Sequence, residues 1–268
     1  FDIHVRRLFS GAEMAGIKFH GAVDTTIELN RIYRCNRGIW LDWMAQGTRV
    51  SRNLLYDNGP NEDLFLEVNH GPCLVDNNLV LSPLSVLINS QGTAYVHNLI
   101  AGSVQVIIGE NRLTPALKAH STEVAGLQPN PSGDERYYNN IFITGGLEGY
   151  DRTVLPVFMA GNVFLKGAKP SKHETNPTVL ANADPQLQLT ESVDGVFLKM
   201  DLDGVASDMR CELVTTDRLG KAKGLPYEQA DGTPYRIDHD YFGKPRNATN
   251  PHVGPFEQTD QKIRVWQP

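Results

Sequence analysis

The sequence is poor in cysteine and contains no long hydrophobic run. Its three cysteines, Cys35, Cys73 and Cys211, are an odd number at spacings that match neither a disulfide framework nor a metal-binding motif. We therefore expect buried free thiols and no metal site. No apolar stretch approaches the roughly 20 residues that a membrane-spanning helix needs, so such a helix is not expected within this sequence and no membrane partner is predicted.

Positive charge is also scarce, with 25 Lys and Arg against 31 Asp and Glu and a formal net charge of −6. No basic cluster is dense enough to follow a phosphate backbone, which argues against a nucleic-acid partner. The sequence lacks a glycine-rich phosphate loop, a His-Glu-x-x-His zinc motif and a serine nucleophile elbow. Nucleotide, zinc-protease and serine-esterase chemistry therefore have no support, and we predict no cofactor.

The 268 residues fit one domain, 1–268, because a single core can grow to roughly 250–300 residues. The chain starts at Phe1 without an initiator Met or a signal peptide, which indicates a portion of a longer protein. The cysteine usage favours a cytoplasmic location, and an extracellular one stays open.

An internal repeat is the main positive signal. Asn is followed two residues later by an apolar side chain at Asn30, Asn53, Asn78, Asn98, Asn140 and Asn162. The steps are 23, 25, 20, 42 and 22 residues, and a period near 22 indicates a solenoid. The intervening segments are short β-branched and aromatic runs. We therefore predict an all-β fold, a parallel β-helix in which Asn occupies a left-handed bend and stacks its amide along the axis.

Three further observations complete the predicted organisation. A twisted α/β domain would need helical patterns of 10–15 residues between strands, and none occurs between Thr25 and Ala101. Residues 103–136 read as one turn plus a long inserted loop. Residues 177–268 read as final turns and a C-terminal cap, which protects the open strand edges of a solenoid.

Three consecutive turns align without gaps as residues 16–20, 38–42 and 63–67. Strand side chains alternate between faces, so one set is predicted to fill the interior. The inward set comprises Ile17, Phe19, Ile39, Leu41, Leu64 and Leu66. The other face carries two columns, namely Lys18, Trp40 and Phe65, then His20, Asp42 and Glu67.

Asp42 and Glu67 would lie in adjacent turns with their Cβ atoms about 5 Å apart. Carboxyl groups roughly 5–5.5 Å apart are typical of retaining glycosidases, whereas inverting enzymes separate them by about 6.5–9.5 Å. Trp40 and Trp43 offer flat surfaces on which a sugar ring could stack. A solvated surface pair, a calcium site, and a non-catalytic carbohydrate-binding or adhesive β-helix remain alternatives at this point.

At these residues the sequence resembles glycoside hydrolase family 120, the β-xylosidases built on a right-handed parallel β-helix. Residues 11–18, 40–49 and 66–72 carry the resemblance. Residues 240–243 and 254–257 are similar to the closing segment of many β-helix hydrolases, which is less specific.

The resemblance implies a retaining, exo-acting hydrolase that releases xylose from the non-reducing end of β-1,4-xylo-oligosaccharides. Asp42 would be the nucleophile and Glu67 the general acid/base. Glu13 would be a third carboxylate that binds sugar hydroxyls. Further hydroxyl ligands would be His20, Asn69, His70 and Gln91. Action on another pentoside, such as an arabinoside, stays open.

The resemblance also implies a β-sandwich near the N-terminal part of the helix and assembly as a homo-tetramer. No β-sandwich segment is visible in this sequence, so an N-terminal portion of the same protein is an expected partner. Asp201 and Asp203 look like the start of a calcium loop, but the spacing to a distal Glu fails, so no metal is predicted there.

Overall fold

The computed structural model describes residues 1, 13–202, 209–258 and 262–268. Within them, short strands follow one another in sets of three, and each set completes one turn of a coil. Strands of successive turns pair in parallel, which gives a parallel β-helix with three faces. The predicted fold class is thus confirmed. The described helices are short, a 3₁₀-helix at Glu148–Arg152 and an α-helix at Thr216–Leu219.

The first sheet has five strands. They are β1 (Ile17–His20), β4 (Ile39–Asp42), β7 (Leu64–Glu67), β10 (Leu84–Asn89) and β13 (Ser103–Val106).

The second and third sheets have seven strands each. The second contains β2 (Thr26–Glu28), β5 (Thr48–Ser51), β8 (Cys73–Asp76), β11 (Thr93–Val96), β16 (Arg136–Tyr138), β18 (Phe158–Ala160) and β20 (Glu174–Thr175). The third contains β3 (Arg31–Tyr33), β6 (Leu54–Tyr56), β9 (Leu79–Val80), β12 (Leu99–Ile100), β17 (Ile141–Ile143), β19 (Val163–Leu165) and β21 (Thr178–Leu180).

Side chains from all three sheets fill the interior of the coil in stacked layers. Tyr95 and Tyr137 stack at 4.4 Å between ring centroids, and Phe142 and Phe164 stack at 5.2 Å. The gap-free alignment predicted the register of the first sheet, and the structure confirms it from Ile17 opposite Ile39 onward. Phe19 pairs with Leu41 but is 38 % exposed, because β1 is an edge strand.

The repeated asparagines form a continuous hydrogen-bonded ladder between the second and third sheets. Each side-chain oxygen accepts the backbone and side-chain N–H groups of the Asn one turn earlier, at 2.9–3.0 Å. Each side-chain amide also donates to a backbone carbonyl, as from Asn98 to Val75 at 2.9 Å. The ladder ends at Glu174, whose carboxylate accepts from Asn162. These bonds satisfy buried polar groups at a sharp corner.

A hairpin occupies the insertion between β13 and β16. It consists of β14 (Leu113–Leu117) and β15 (Val124–Pro129), which pair antiparallel. A buried network joins it to the coil, because the Gln46 side-chain amide donates to the Leu117 carbonyl at 2.9 Å.

The segment after β21 packs along the flank of the solenoid. It contains β22 (Gln188–Ser192), β23 (Gly195–Lys199), β24 (Lys221–Ala222), β25 (Leu225–Pro226) and β26 (Lys262–Trp266). One part covers the outer face of the third sheet and another covers that of the second. The terminal segment predicted as a cap therefore protects several turns laterally. Among the described residues, no helix has the length and hydropathy needed to cross a membrane.

Candidate active site

A column of polar residues ends three consecutive strands of the first sheet. His20 is directly opposite Asp42, and Asp42 is directly opposite Glu67, as the aligned turns predict. Asn89 follows Glu67 in the next turn. Because paired parallel strands lie about 4.8 Å apart, the Cβ atoms of the two carboxylate residues lie about 5 Å apart.

The backbone bends immediately after this column. Trp43 and Val68, which follow the two acidic residues, have φ angles of 33° and 48°. The bend is held by a bond from the Trp43 N–H to the Glu67 carbonyl at 3.0 Å, and the Val68 N–H bonds to the Asn89 carbonyl in the same way. Asp42 and Glu67 therefore stand at a corner of the coil that is fixed by backbone hydrogen bonds.

Asp42 is 4 % exposed, and its two oxygens have different environments. Oδ2 lies 2.9 Å from the Lys18 ammonium and 2.8 Å from Nε2 of His20. Oδ1 is buried and has no hydrogen-bond partner. Since a buried charge needs a compensating partner, Lys18 supplies the counter-charge while one oxygen stays unengaged.

Glu67 is held by two donors from different parts of the chain. Nε1 of Trp40 donates to Oε2 at 3.1 Å, and the Arg112 guanidinium donates to Oε1 at 3.1 Å. The same guanidinium nitrogen donates to Glu110 at 2.7 Å, and the Asn89 amide donates to Glu110 at 2.9 Å. The hydrogen bond from Arg112 lowers the pKa of Glu110 to about 2.

The structure corrects the expectation that Trp40 offers a free face to a sugar. Its ring is buried, with the Lys18 ammonium 3.7 Å from the ring centroid. The Arg37 guanidinium lies 4.4 Å from the ring, and the Phe65 ring lies 5.4 Å away. Trp40 therefore serves the site through its N–H. Trp43 is only half-buried and lies beneath Arg112 at 5.7 Å.

Glu13 and His20 lie beside Asp42 at the exposed rim of the site. Their side chains are 70 % and 57 % exposed, and Glu13 forms an ion pair with Lys18. These two positions lie next to Asp42, and their role as sugar ligands stays a prediction.

Asn69 is not part of this cluster, although the sequence suggested a sugar ligand. It is fully buried, and its side-chain oxygen accepts the Ala45 N–H at 2.7 Å. Its amide donates to the Leu41 carbonyl at 2.8 Å. Both ends of the side chain are engaged within the chain, so Asn69 supports the bend below the site.

His70 and Gln91 form a second buried network, next to the inserted hairpin. Nδ1 of His70 lies 2.6 Å from the Gln91 amide, and Nε2 lies 2.8 Å from the Thr114 hydroxyl. Burial lowers the pKa of His70, so the neutral ring accepts from Gln91 and donates toward Thr114. This network fastens β14 to the coil and has no described contact with Asp42 or Glu67.

One group of side chains has the composition of a metal site. Ligand atoms of Glu13, His20 and Asp42 all lie within 4.8 Å of one another. The Lys18 ammonium contacts both carboxylates of this group, so a positive charge already stands between them. This donor set therefore fits an ammonium and not a metal ion. Of the calcium-like pair, Asp201 is described and Asp203 lies outside the described residues.

Sequence reasoning missed two contributions to the site. The alignment placed Lys18 in the aromatic column, and its contact with Asp42 could not be predicted without the position of the Lys18 side chain. Arg112 and Glu110 lie in the insertion, where no periodicity relates them to Glu67. Only the charges of Arg112 and Glu110 could have pointed to a role in the site. Because charged residues are common in loops, this signal is not specific.

Fold and site together define a parallel β-helix protein with two adjacent acidic side chains at one corner of the coil. No protein-family model and no curated protein matches the chain. It is similar to a solved structure described as the complex of XylC with xylose, with a TM-score of 0.90 and 35 % sequence identity. The match covers 98 % of this chain and 46 % of the XylC chain, so the chain spans less than half of that protein.

Proposed function

We propose that this chain carries the catalytic carboxylates of a glycoside hydrolase of family 120. The enzyme would be retaining and exo-acting, releasing xylose from the non-reducing end of β-1,4-xylo-oligosaccharides. The observation that carries the proposal is the direct pairing of Asp42 with Glu67, with one buried, unpartnered oxygen on Asp42. The likeness to XylC, whose structure contains xylose, supports xylose as the sugar.

In the first step, the Asp42 carboxylate attacks the anomeric carbon and forms a glycosyl ester, while Glu67 gives its proton to the departing oxygen. In the second step, the Glu67 carboxylate takes a proton from water. That water attacks the anomeric carbon and releases Asp42. Two inversions give net retention. Lys18 and His20 contact Oδ2 and hold the Asp42 carboxylate in place for this attack.

The rim residues are proposed to bind the sugar hydroxyls. Glu13 and His20 present exposed polar groups next to Asp42. A carboxylate and an imidazole can accept and donate hydrogen bonds to adjacent hydroxyls. The half-buried Trp43 is proposed to contribute apolar surface to the ring face.

We further propose that an N-terminal portion with a β-sandwich completes the enzyme and that it assembles as a homo-tetramer in the cytoplasm. The N-terminal portion is supported by the match to XylC, which covers only 46 % of the XylC chain. The site is open at Glu13 and His20, where another segment could close it.

The test is hydrolysis of a panel of aryl β-xylosides and α-arabinosides, with the anomeric product followed by NMR. It is run on this chain and on the chain together with its N-terminal portion. We expect β-xylose as the first product and a loss of about 10³-fold or more in Asp42→Asn. Asp57→Asn, at an exposed position outside the site, is the matched control and should keep full activity.

Glu67→Gln separates the two carboxylate roles. It should slow poor leaving groups by about 10²–10⁴-fold and activated ones far less, because activated groups depart without a proton. No turnover of any pentoside by the complete assembly would overturn the proposal. Sugar binding that survives both substitutions would instead assign the chain to non-catalytic carbohydrate-binding solenoids.

A further inference from the structure

The inserted hairpin reaches back to the candidate acid/base residue through one side chain. Arg112 immediately precedes β14, 45 residues after Glu67, and one of its guanidinium nitrogens contacts two carboxylates. It lies 3.1 Å from Oε1 of Glu67 and 2.7 Å from Oε2 of Glu110. The Arg112 side chain is 40 % exposed, whereas the two carboxylate side chains are largely buried.

Glu110 fixes the orientation of this guanidinium. It accepts from the Arg112 side chain and from the Arg112 backbone N–H, the latter at 2.8 Å. The oxygen that accepts from the guanidinium, Oε2, also accepts from Asn89, which continues the polar column after Glu67. Arg112 is thus tied to the first sheet at two points, and its positive charge is shared with an ionised Glu110.

We propose that Arg112 is the positioning residue for the acid/base carboxyl, and that it determines which oxygen of Glu67 carries the proton. This inference rests on the proposed function. Both oxygens of Glu67 accept from groups that can only donate, Oε1 from Arg112 and Oε2 from the Trp40 N–H, but only Arg112 carries a charge. A proton on Oε1 would lie against a cation, whereas Oε2 faces a neutral indole. The catalytic proton therefore belongs on Oε2.

Several charged groups share the environment of Glu67. Asp42 lies beside it on β4, Glu62 precedes β7, and Glu110 and Arg112 come from the insertion. Arg37 forms an ion pair with Glu62, which leaves Arg112 as the cation that touches Glu67 among the described residues. Removing Arg112 therefore takes away the donor that holds Oε1 and orients the Glu67 carboxyl.

The experiment compares Arg112→Gln and Arg112→Lys with the wild-type chain, in the assembly that hydrolyses aryl β-xylosides. In Arg112→Gln we expect kcat/KM to fall about 10–100-fold for a poor leaving group and less than about threefold for an activated one. Arg112→Lys should restore only part of the rate on the poor leaving group, since an ammonium keeps the charge and loses the planar geometry.

Arg236→Gln is the control, because its side chain is exposed and remote in sequence. Equal losses for both leaving groups in Arg112→Gln would overturn the inference and assign Arg112 to folding or substrate binding. Inactivity of the wild-type assembly on every pentoside would instead overturn the proposed function, so the two failures are distinguishable.

Discussion

Two columns of stacked polar residues run along the same solenoid, and they are built from opposite chemistry. The asparagine ladder repeats one residue that both donates and accepts, so each turn satisfies the turn before it. The column of His20, Asp42 and Glu67 stacks unlike residues at the same turn spacing, and its two carboxylates offer only acceptors.

The second column therefore depends on donors from outside itself. Lys18 serves Asp42, while Trp40 and Arg112 serve Glu67. Even so, Asp42 keeps one buried oxygen without a partner, whereas both ends of the Asn98 side chain are engaged. The asparagine column satisfies its own hydrogen bonds, whereas the column proposed to be catalytic depends on donors from elsewhere in the chain.

The largest expected effect is on turnover in Asp42→Ala. Removing the proposed nucleophile should lower kcat on aryl β-xylosides by about 10⁴-fold, and added azide should rescue activity by giving an α-xylosyl azide. The unfolding temperature should fall less than in a ladder variant, because Lys18 keeps Glu13 as its partner. Rescue is read by NMR and stability by calorimetry. A large loss of stability with little loss of turnover would reverse the distinction between the columns.

The next effect is on stability in Asn98→Ala. The substitution removes the acceptor for the Asn78 N–H groups and the donor to Val75. Each buried polar group left unpaired costs about 1–3 kcal/mol, so we expect a loss of about 2–5 kcal/mol by urea unfolding. Asn182→Ala, at an exposed position, should change stability by less than about 0.5 kcal/mol. Equal effects at the two positions would show that the ladder contributes nothing.

The smallest effect concerns Glu174, where the ladder ends on a carboxylate. Burial raises the pKa of Glu174 to about 7, above the value near 4.3 expected in the unfolded chain. The folded state therefore binds this proton more tightly, and the stability it provides at low pH is lost as the pH rises from about 4 through 7. Thermal unfolding at pH 5 and pH 8 should show Glu174→Gln becoming more stable relative to wild type as pH rises. A constant difference would contradict the assignment.

Periodic features could be predicted from the sequence because residues one repeat apart occupy equivalent positions in successive turns of a solenoid. The recurring Asn residues and the gap-free alignment of three turns gave the ladder, the strand register and the pairing of Asp42 with Glu67. The alternation of side chains between the inner and outer faces holds only within a strand, and residues after a bend no longer follow it. Asn69 and Gln91 lie there, and their hydrogen bonds are to the backbone and to the hairpin network.

Contacts between the insertion and the coil could not be predicted for a different reason. Residues 107–132 have no repeat that assigns them to a turn, so the approach of Arg112 to Glu67 depends on the fold of the whole hairpin. Similarly, Trp40 satisfied the pattern for an outward aromatic, but the chain itself covers its ring with Lys18 and Arg37.

The insertion leaves the ladder unchanged. Asn98 and Asn140 are 42 residues apart, yet their amide bond is 2.9 Å, the same as that between Asn140 and Asn162 across 22 residues. The geometry of the ladder thus depends on the turn in which each Asn lies and not on the number of residues inserted between turns. A longer loop at this corner costs little additional closure entropy. A lineage of such proteins can lengthen or replace this segment while the frame that holds the carboxylates stays in register. Variation in this segment is then separated from the risk of unfolding.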